Sequence, residues 1–599
     1  MMHATTAQRG IRAGICFVSL LMCLALLTAG HASAQQRGQT RTQRAGPLVR
    51  ANGVVDWNRY YNTTETHTIL RTLARQFPNL TELYSIGKSF RGVDLMVIEV
   101  TNKATGRAID KPALYIDGGI YSADLASSAV ALHLVGHLLQ NYGKDTRVTE
   151  LLDTRAFYIR PKFNPDGADL VQVQGRGPIG SVRPWDDDGD GAIDEDPPDD
   201  LDGNGIITQM RIPAPAGAWK LHPDDHRLLV RRTAADTVGP FYLLAEEGID
   251  NDRDGQFNED GIGGIDLSRN FPRNWIRAHV QDGAGPFALS EPEAAATIRF
   301  IADRPNITSI VQGRTAGGYV QRLPADDPAR FDTTDLALVH ELGRAYTETT
   351  GRELRPAYTD VTNHGFATLM DWAYNERGII GWMPMYVPPD YWVIDYDGDG
   401  RITELEALRF NDEALDGRYF VPWSLRGHPQ LGEMEVGGWR SLFRGRNPPA
   451  EFLELECTAQ VPWILALLEK SPRIEVVPRV AGTADGRVRI DVTVRNTGWL
   501  PTHLSERGAV GRPHDDGTVA HQVVAAPVAS IVVAGAQLLG PSRLTIGHLA
   551  GSNTIARAAS ERARTVTFYV QKTAAVIRVT VSVNGGPGGN VTTSEIVYR

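Results

Sequence analysis

The stretch Tyr115–Ser128, YIDGGIYSADLASS, constrains this chain more than any other. A short apolar run meets a Gly-Gly pair, and a helical pattern, AVALHLVGHLLQNYG, follows at once. A strand that ends in glycines and hands over to a helix belongs to an α/β sheet, where the turn presents side chains at the sheet's carboxyl edge. The polar side chains carried there are Tyr121 and Asp124, three residues apart.

The flanking segments repeat the alternation. THTILRTLARQFPNL has helical spacing that stops at Pro78, LTELYSIGKSFRGVDLMVIEVTN reads as two strands joined at Gly87–Gly92, and FYIRPKFNPDG reads as a strand ending in a Pro/Asp/Gly turn. Further on, Ser290 and Glu293 stand at the spacing of an N-cap and its reciprocal acid, which predicts a helix start at Ser290. Helices are also predicted over DTTDLALVHELGRAYTETTG and PPAEFLELECTAQVPWILALLEKS. Together these imply a mixed sheet covered on both faces by helices. After Pro472 the pattern changes to short alternating strands between Gly, Asn and Asp turns, the signature of an antiparallel β-sandwich over 473–599.

At 599 residues the chain needs more than one domain. Arg9 and Arg12 precede an apolar run that ends in HASA, so residues 1–34 read as a secretion signal cut after Ala34, and the mature chain is expected to be secreted or periplasmic. Residues 35–55 read as a flexible lead-in and 56–472 as the α/β domain. The signal carries two cations and no acid, so the mature net charge is −10 − 2 = −12. That balance argues against nucleic acid as a partner. Cys457 is left alone once the signal is removed, so no intramolecular disulfide can form and rigidity must come from elsewhere.

From about Trp57 to Pro472 the chain resembles the zinc metallocarboxypeptidases of the A/B type. The likeness rests on GGI-x-x-x-D, NPDG (Asn164–Gly167), DLSRNFP, GPFALSEPE and DWAYNERGI, in the order the family has them. The resemblance implies a zinc ion held by two His and one Glu, with a second Glu as general base on the metal-bound water, an arrangement that leaves the metal an open position. In this sequence Tyr121 stands at the first His, Asp124 at the Glu, Arg314 at the second His and Met385 at the base. A phenol is a rare zinc ligand, a guanidinium repels the ion, and Met accepts no proton. Zinc is therefore not expected, and Arg314 and Asp124 are expected to form an ion pair in its place. Arg269 stands at the family's arginine for a substrate's terminal carboxylate, a task for a bidentate guanidinium, with a structural salt bridge as its other reading. Ser268 replaces the Asn before it, and Asn363 replaces the family's mobile tyrosine. His133 and His137 lie i, i+4 on an apolar helix and read as packing residues, and His222 and His226 lie in an acidic loop.

Four segments share D-x-D-x-[DN]-G: Asp186, Asp188, Asp190; Asp200, Asp202, Asn204; Asp250, Asp252, Asp254; and Asp395, Asp397, Asp399. Alternating carboxylates around a glycine turn, each with an apolar anchor two places on, are the chemistry of a calcium loop. The last is complete in twelve residues, with the Arg401 carbonyl at position seven and Glu406 at position twelve. The second has no acid at its end. Calcium is expected to stiffen an acidic insertion over 185–260. The reading that follows is an exported, catalytically inactive carboxypeptidase relative that binds peptide or protein C-termini or serves as scaffold. Its rivals are an active carboxypeptidase or amide hydrolase with a rearranged metal set around Asp124, and a calcium-stabilised adhesion protein.

Overall fold

The computed structural model describes residues 55–175, 180–322, 332–356, 367–482, 485–510, 523–593 and 595–598. Residues 1–34, read as a secretion signal, most of residues 35–55 and Asn363 lie outside them. Val55, assigned to the lead-in from sequence, is 2% exposed and belongs to the main core, because it packs with Trp57 there. Among the described residues no helix is long and apolar enough to cross a membrane.

In chain order the elements are α1 (Thr63–Gln76), β1 (Thr81–Lys88), β2 (Asp94–Val100), β3 (Ala113–Gly118), α2 (Leu125–Asn141), α3 (Thr146–Thr154), β4 (Ala156–Arg160) and α4 (Pro165–Gln174). Four short strands follow, β5 (Gln209–Pro213), β6 (Trp219–Leu221), β7 (Leu229–Arg231) and β8 (Tyr242–Glu246). Then come α5 (Pro292–Ala302), β9 (Ile307–Ala316), β10 (Tyr319–Arg322), α6 (Thr333–Thr350), β11 (Glu353–Pro356), α7 (Leu369–Arg377), β12 (Ile380–Val387), α8 (Glu404–Ala414), β13 (Phe420–His428), β14 (Gly432–Trp439) and α9 (Ala450–Glu469).

The main sheet runs β1-β2-β4-β3-β9-β12-β10-β11. Its centre, β4-β3-β9-β12, is parallel; β2 pairs antiparallel with both β1 and β4, β10 pairs antiparallel with β12, and β11 runs parallel to β10. Every residue of β3, β4 and β12 is buried, as strands covered on both faces require. On one face Phe300 of α5 packs its ring against Tyr84, Tyr115 and Tyr158. On the other lies α2, whose burial runs nearly all round because β3 lies on one side of it and α9 on another. Gly118 is required where β3 meets α2: a Cβ there would stand 2.3 Å from the Ser127 carbonyl oxygen. Gly119 turns with φ +73° and donates its N–H to Ser127 Oγ at 2.8 Å, which locks the strand-to-helix turn.

Two local expectations are corrected. Helix α5 begins one residue later than its capping pattern implies, with Glu291 as N-cap and Pro292 in the first turn. Ser290 Oγ meets Asn270 instead, and Glu293 accepts from the Phe90 N–H. The NPDG turn is itself the start of α4, with Asn164 capping the Gly167 N–H and Pro165 at the first helical position.

The insertion holds more than loops. Strands β5 to β8 join β13 and β14 in a six-stranded antiparallel sheet, β13-β14-β5-β8-β6-β7, that the sequence pattern did not reveal.

From Ile474 on, β15 (Ile474–Gly482), β16 (Arg487–Asn496), β17 (Val528–Ala534), β18 (Ala536–Leu538), β19 (Arg543–Thr545), β20 (Ala563–Lys572), β21 (Ile577–Asn584), β22 (Asn590–Thr592) and β23 (Ile596–Tyr598) form two antiparallel sheets, β15-β16-β20-β18 and β19-β17-β21-β22, with β23 beside β21, and a short helix, α10 (Glu506–Val510), lies between β16 and β17 in the chain. Val488, Ile490, Val492 and Val494 alternate inward and share a core with Ile577, Val579, Val581 and Val583.

Candidate functional site

Asp124 closes the turn before α2, at the N-cap position, yet its carboxylate makes no capping bond. Two neighbours on β9 draw it away. Arg314 Nε donates to Asp124 Oδ2 at 2.8 Å, and Thr315 Oγ1 donates to Oδ1 at 2.8 Å. Arg446, from the loop before α9, stands 3.6 Å from Oδ1. The side chains of Asp124 and Arg314 are only 5% and 14% exposed, so this ion pair is held in a low dielectric with extra hydrogen bonds, the condition under which such a pair persists.

Arg314 also lies flat against Tyr121, its guanidinium carbon 3.2 Å from the ring centroid. The Tyr121 hydroxyl donates to Asp266 Oδ2 at 2.8 Å and stands 3.2 Å from Ser268 Oγ. Burial pushes the Tyr121 phenol above its ordinary value, against the pull of Arg314, so it remains a neutral donor. Burial also works against the charge on Arg314, but Tyr121, Asp124 and Asp266 outweigh it and hold the guanidinium above its ordinary value. Met385 pairs with Arg314 across the β9–β12 ladder and is buried. Met383 accepts a long contact, 3.8 Å to Sδ, from Arg314 NH1.

The structure thus brings Tyr121, Asp124, Arg314 and Met385 to one place, and the expected Arg314–Asp124 pair is present. This donor set does not fit zinc. Both Asp124 oxygens are engaged by donors, the phenol is spent on Asp266, and the third position is a cation. Thr315, Arg446 and Asp266 complete the network and were not singled out from sequence. Asp266 could have been, since it opens the DLSR motif.

Arg269 is tied into the same network. Its Nε lies 3.1 Å from Asp266 Oδ2, and NH1 donates to the Asp282 carbonyl at 2.7 Å. The Arg269 side chain stays 36% exposed and lines a cavity of about 380 Å³ together with Asp187, Glu259, Asp266 and Asp282. His133 packs edge-on against Trp57 at 4.9 Å, and burial pushes it down to about 4, so it is a neutral packing group. His222 Nδ1 accepts from the Asp224 N–H.

In the loop 395–406, Asp395 accepts from the Gly398 and Gly400 N–H groups, and Glu406 Oε1 accepts from Tyr396 N at 2.7 Å while Oε2 takes Thr403 N and Oγ1. The second acidic loop is not short of its closing acid, contrary to its sequence. Glu247, just past β8, takes Leu201 N at 2.8 Å on Oε1 and Thr208 N and Oγ1 on Oε2, reproducing the Glu406 pattern from outside the loop.

Compared with known proteins, residues 66–189 and 234–389 match the zinc carboxypeptidase family model, and 473–595 match a family described only as a domain of unknown function. Mouse carboxypeptidase M is 31% identical over 114 residues, 19% of this chain and 26% of that protein. Bovine carboxypeptidase B2 is 34% identical over 120 residues, 20% of this chain and 28% of that one. The chain therefore aligns with little more than a quarter of these relatives' length. Among solved structures, thrombin activatable fibrinolysis inhibitor superposes with a TM-score of 0.41 at 16% identity, covering 72% of this chain and 78% of that one. Carboxypeptidase A from Helicoverpa armigera superposes with a TM-score of 0.41 at 14% identity, covering 74% and 80%.

Proposed function

Because residues 66–189 and 234–389 belong to the zinc carboxypeptidase family, we propose that this chain is an exported pseudo-peptidase, one that keeps the family's scaffold as a binding module and has given up its hydrolytic chemistry. The observation that carries the reading is the Arg314 guanidinium, 2.8 Å from Asp124 and stacked on Tyr121, at the position where the family's metal ligands converge. A fixed cation there already neutralises the one carboxylate a metal would need. Met385, at the position of the general base, has no proton to take or give.

The binding role falls to the cavity that Arg269 lines, with the C-terminal carboxylate of a peptide as the group a guanidinium recognises. The acidic loops belong to the same reading as calcium sites that brace the insertion, the 395–406 loop being the most complete. Secretion rests on the arginine-flanked apolar run that ends at Ala34.

Zinc content and turnover test this directly. Purified from zinc-supplemented medium, the chain is expected to hold far less than one zinc and to release no C-terminal residue from a peptide library. About one tightly bound zinc per chain together with turnover would overturn the proposal. Peptide capture that disappears in Arg269→Ala marks the cavity as the binding surface, and capture unchanged by that substitution removes Arg269 from the role.

A further inference from the structure

The first and third acidic loops, 186–196 and 250–260, are the same length, and each ends in a Glu-Asp pair: Glu195-Asp196 and Glu259-Asp260. The fold sets them face to face and exchanges their ends. Asp260 accepts from the Asp187 N–H at 3.2 Å and the Asp194 N–H at 2.9 Å, both in the first loop. Asp196 accepts from the Asn251 N–H at 2.8 Å and the Asn258 N–H at 2.6 Å, both in the third. Both aspartates are fully buried. Each loop is closed by the other's last residue.

These hydrogen bonds would hold without an ion. The neighbouring glutamates would not. Both carboxylate oxygens of Glu195 and both of Glu259 are sealed from solvent, each exposing less than 1 Å², and none has a hydrogen-bond partner among the described residues. They point into the acids of the two loops. Oxygens of Asp188, Glu195 and Asp260 lie within 4.8 Å of one another, as do those of Asp188, Asp254 and Glu259, and of Asp190, Glu195 and Asp252. Other carboxylates surround these four oxygens, with Asp260 beside Glu195 and Asp196 beside Glu259. A bound cation would neutralise such a cluster. An all-oxygen, carboxylate-rich ligand set from flexible loops suits calcium rather than a transition metal.

We propose that residues 186–196 and 250–260 form one binuclear calcium site, in which Glu195 and Glu259 are ligands, Asp188 faces both ions, and Asp196 and Asp260 close each other's loops. This rests on the calcium reading of the acidic loops given above. It differs from that reading in making the two loops a single unit, so that neither ion binds normally without the other loop. Asp187 and Glu259 also line the cavity walled by Arg269, so filling the site orders one side of that cavity.

Terbium luminescence in the calcium-free full chain tests the exchange. Trp185 directly precedes Asp186, so the component of the signal lost in Trp185→Phe reports the first loop. Asp260→Asn, a change in the third loop, is expected to weaken that component at least tenfold. Glu259→Gln, a second change in the third loop, is expected to weaken it similarly and carries the test if Asp260→Asn fails to fold by circular dichroism. Glu406→Gln should leave it unchanged. Binding in the first loop that ignores both Asp260→Asn and Glu259→Gln overturns the proposal. Terbium and calcium at 395–406 but not at the paired loops would sink this inference alone, and no binding at any loop would sink the calcium reading as well.

Discussion

Arg314 and Asp124 are 190 residues apart in sequence and 2.8 Å apart in the fold, buried together against the ring of Tyr121. Removing one partner leaves the other as an uncompensated buried charge, which costs about 3–5 kcal/mol. Arg314→Met is therefore expected to lower unfolding free energy by about 3 kcal/mol in urea titration, the low end because Thr315 and Arg446 still contact the carboxylate. Asp124→Asn in the same chain should recover most of the loss. A double variant as unstable as the single one would mean that the guanidinium stabilises through Tyr121 rather than through the ion pair.

Asp117, at the end of β3, makes stability depend on pH. Burial pushes its carboxyl up to about 7, against the pull of Arg160 and of the Tyr115 and Gln312 side chains. The folded state thus binds a proton more tightly than the unfolded chain, whose carboxyl titrates near 3.8. The contribution is fully favourable below the unfolded value and is lost as pH rises through about 7, with a total swing on the order of 4 kcal/mol. Urea midpoints of wild type and Asp117→Asn, compared at pH 5 and pH 8, should show wild type losing more stability on going to pH 8. Parallel changes in the two proteins would remove Asp117 as the cause.

The two parts of the chain are joined by a cap supplied from outside its helix. Asp335, fully buried in α6, accepts from the Glu506 and Arg507 N–H groups at the start of α10 and from the Tyr374 hydroxyl, while Ser505 Oγ donates to the Gly378 carbonyl. Asp335→Ala leaves those N–H groups without an acceptor. Hydrogen exchange at residues 505–510 is expected to speed up at least tenfold, while exchange in β3 and β9 stays slow. Unchanged protection at 505–510 would show that packing alone holds α10.

Chelation should destabilise the chain. A site half-saturated well below the calcium concentration contributes RT ln(1 + [L]/Kd), about 2.7 kcal/mol at a hundredfold excess. Differential scanning calorimetry with chelator against millimolar calcium is expected to lower the melting temperature by several degrees, and Glu406→Gln should narrow the gap. A melting temperature indifferent to chelator counts against every calcium site assigned here.

How legible this was in the sequence varied with distance along the chain. Helix α6 follows local periodicity, and the segment read for it, DTTDLALVHELGRAYTETTG, nearly matches its observed bounds. The start of α5 was misplaced by one residue because Pro292 is best placed at the first helical position, which makes Glu291 the cap and releases Ser290 to Asn270. The six-stranded sheet escaped because β6 and β7 have three residues each, too few for any period, and because β5 pairs with β14, more than two hundred residues on. Glu247 escaped for a related reason. A closing acid is recognisable by count only when it sits inside its own loop, as Glu406 does.

The sequence by itself determined the α/β alternation and the D-x-D-x-[DN]-G spacing of the acidic loops, since each is written in neighbours a few places apart. That Tyr121, Asp124 and Arg314 satisfy one another, that Asp266 takes up both the Tyr121 hydroxyl and Arg269, and that two acidic loops trade their last residues was decided only by tertiary structure. Hydrogen bonds and ion pairs between distant segments leave no local pattern, because what selects them is the geometry of the closed chain. The turn at Gly118–Gly119 can be read as a place for chemistry, but its partners on β9, 190 residues away, set the surroundings of Asp124.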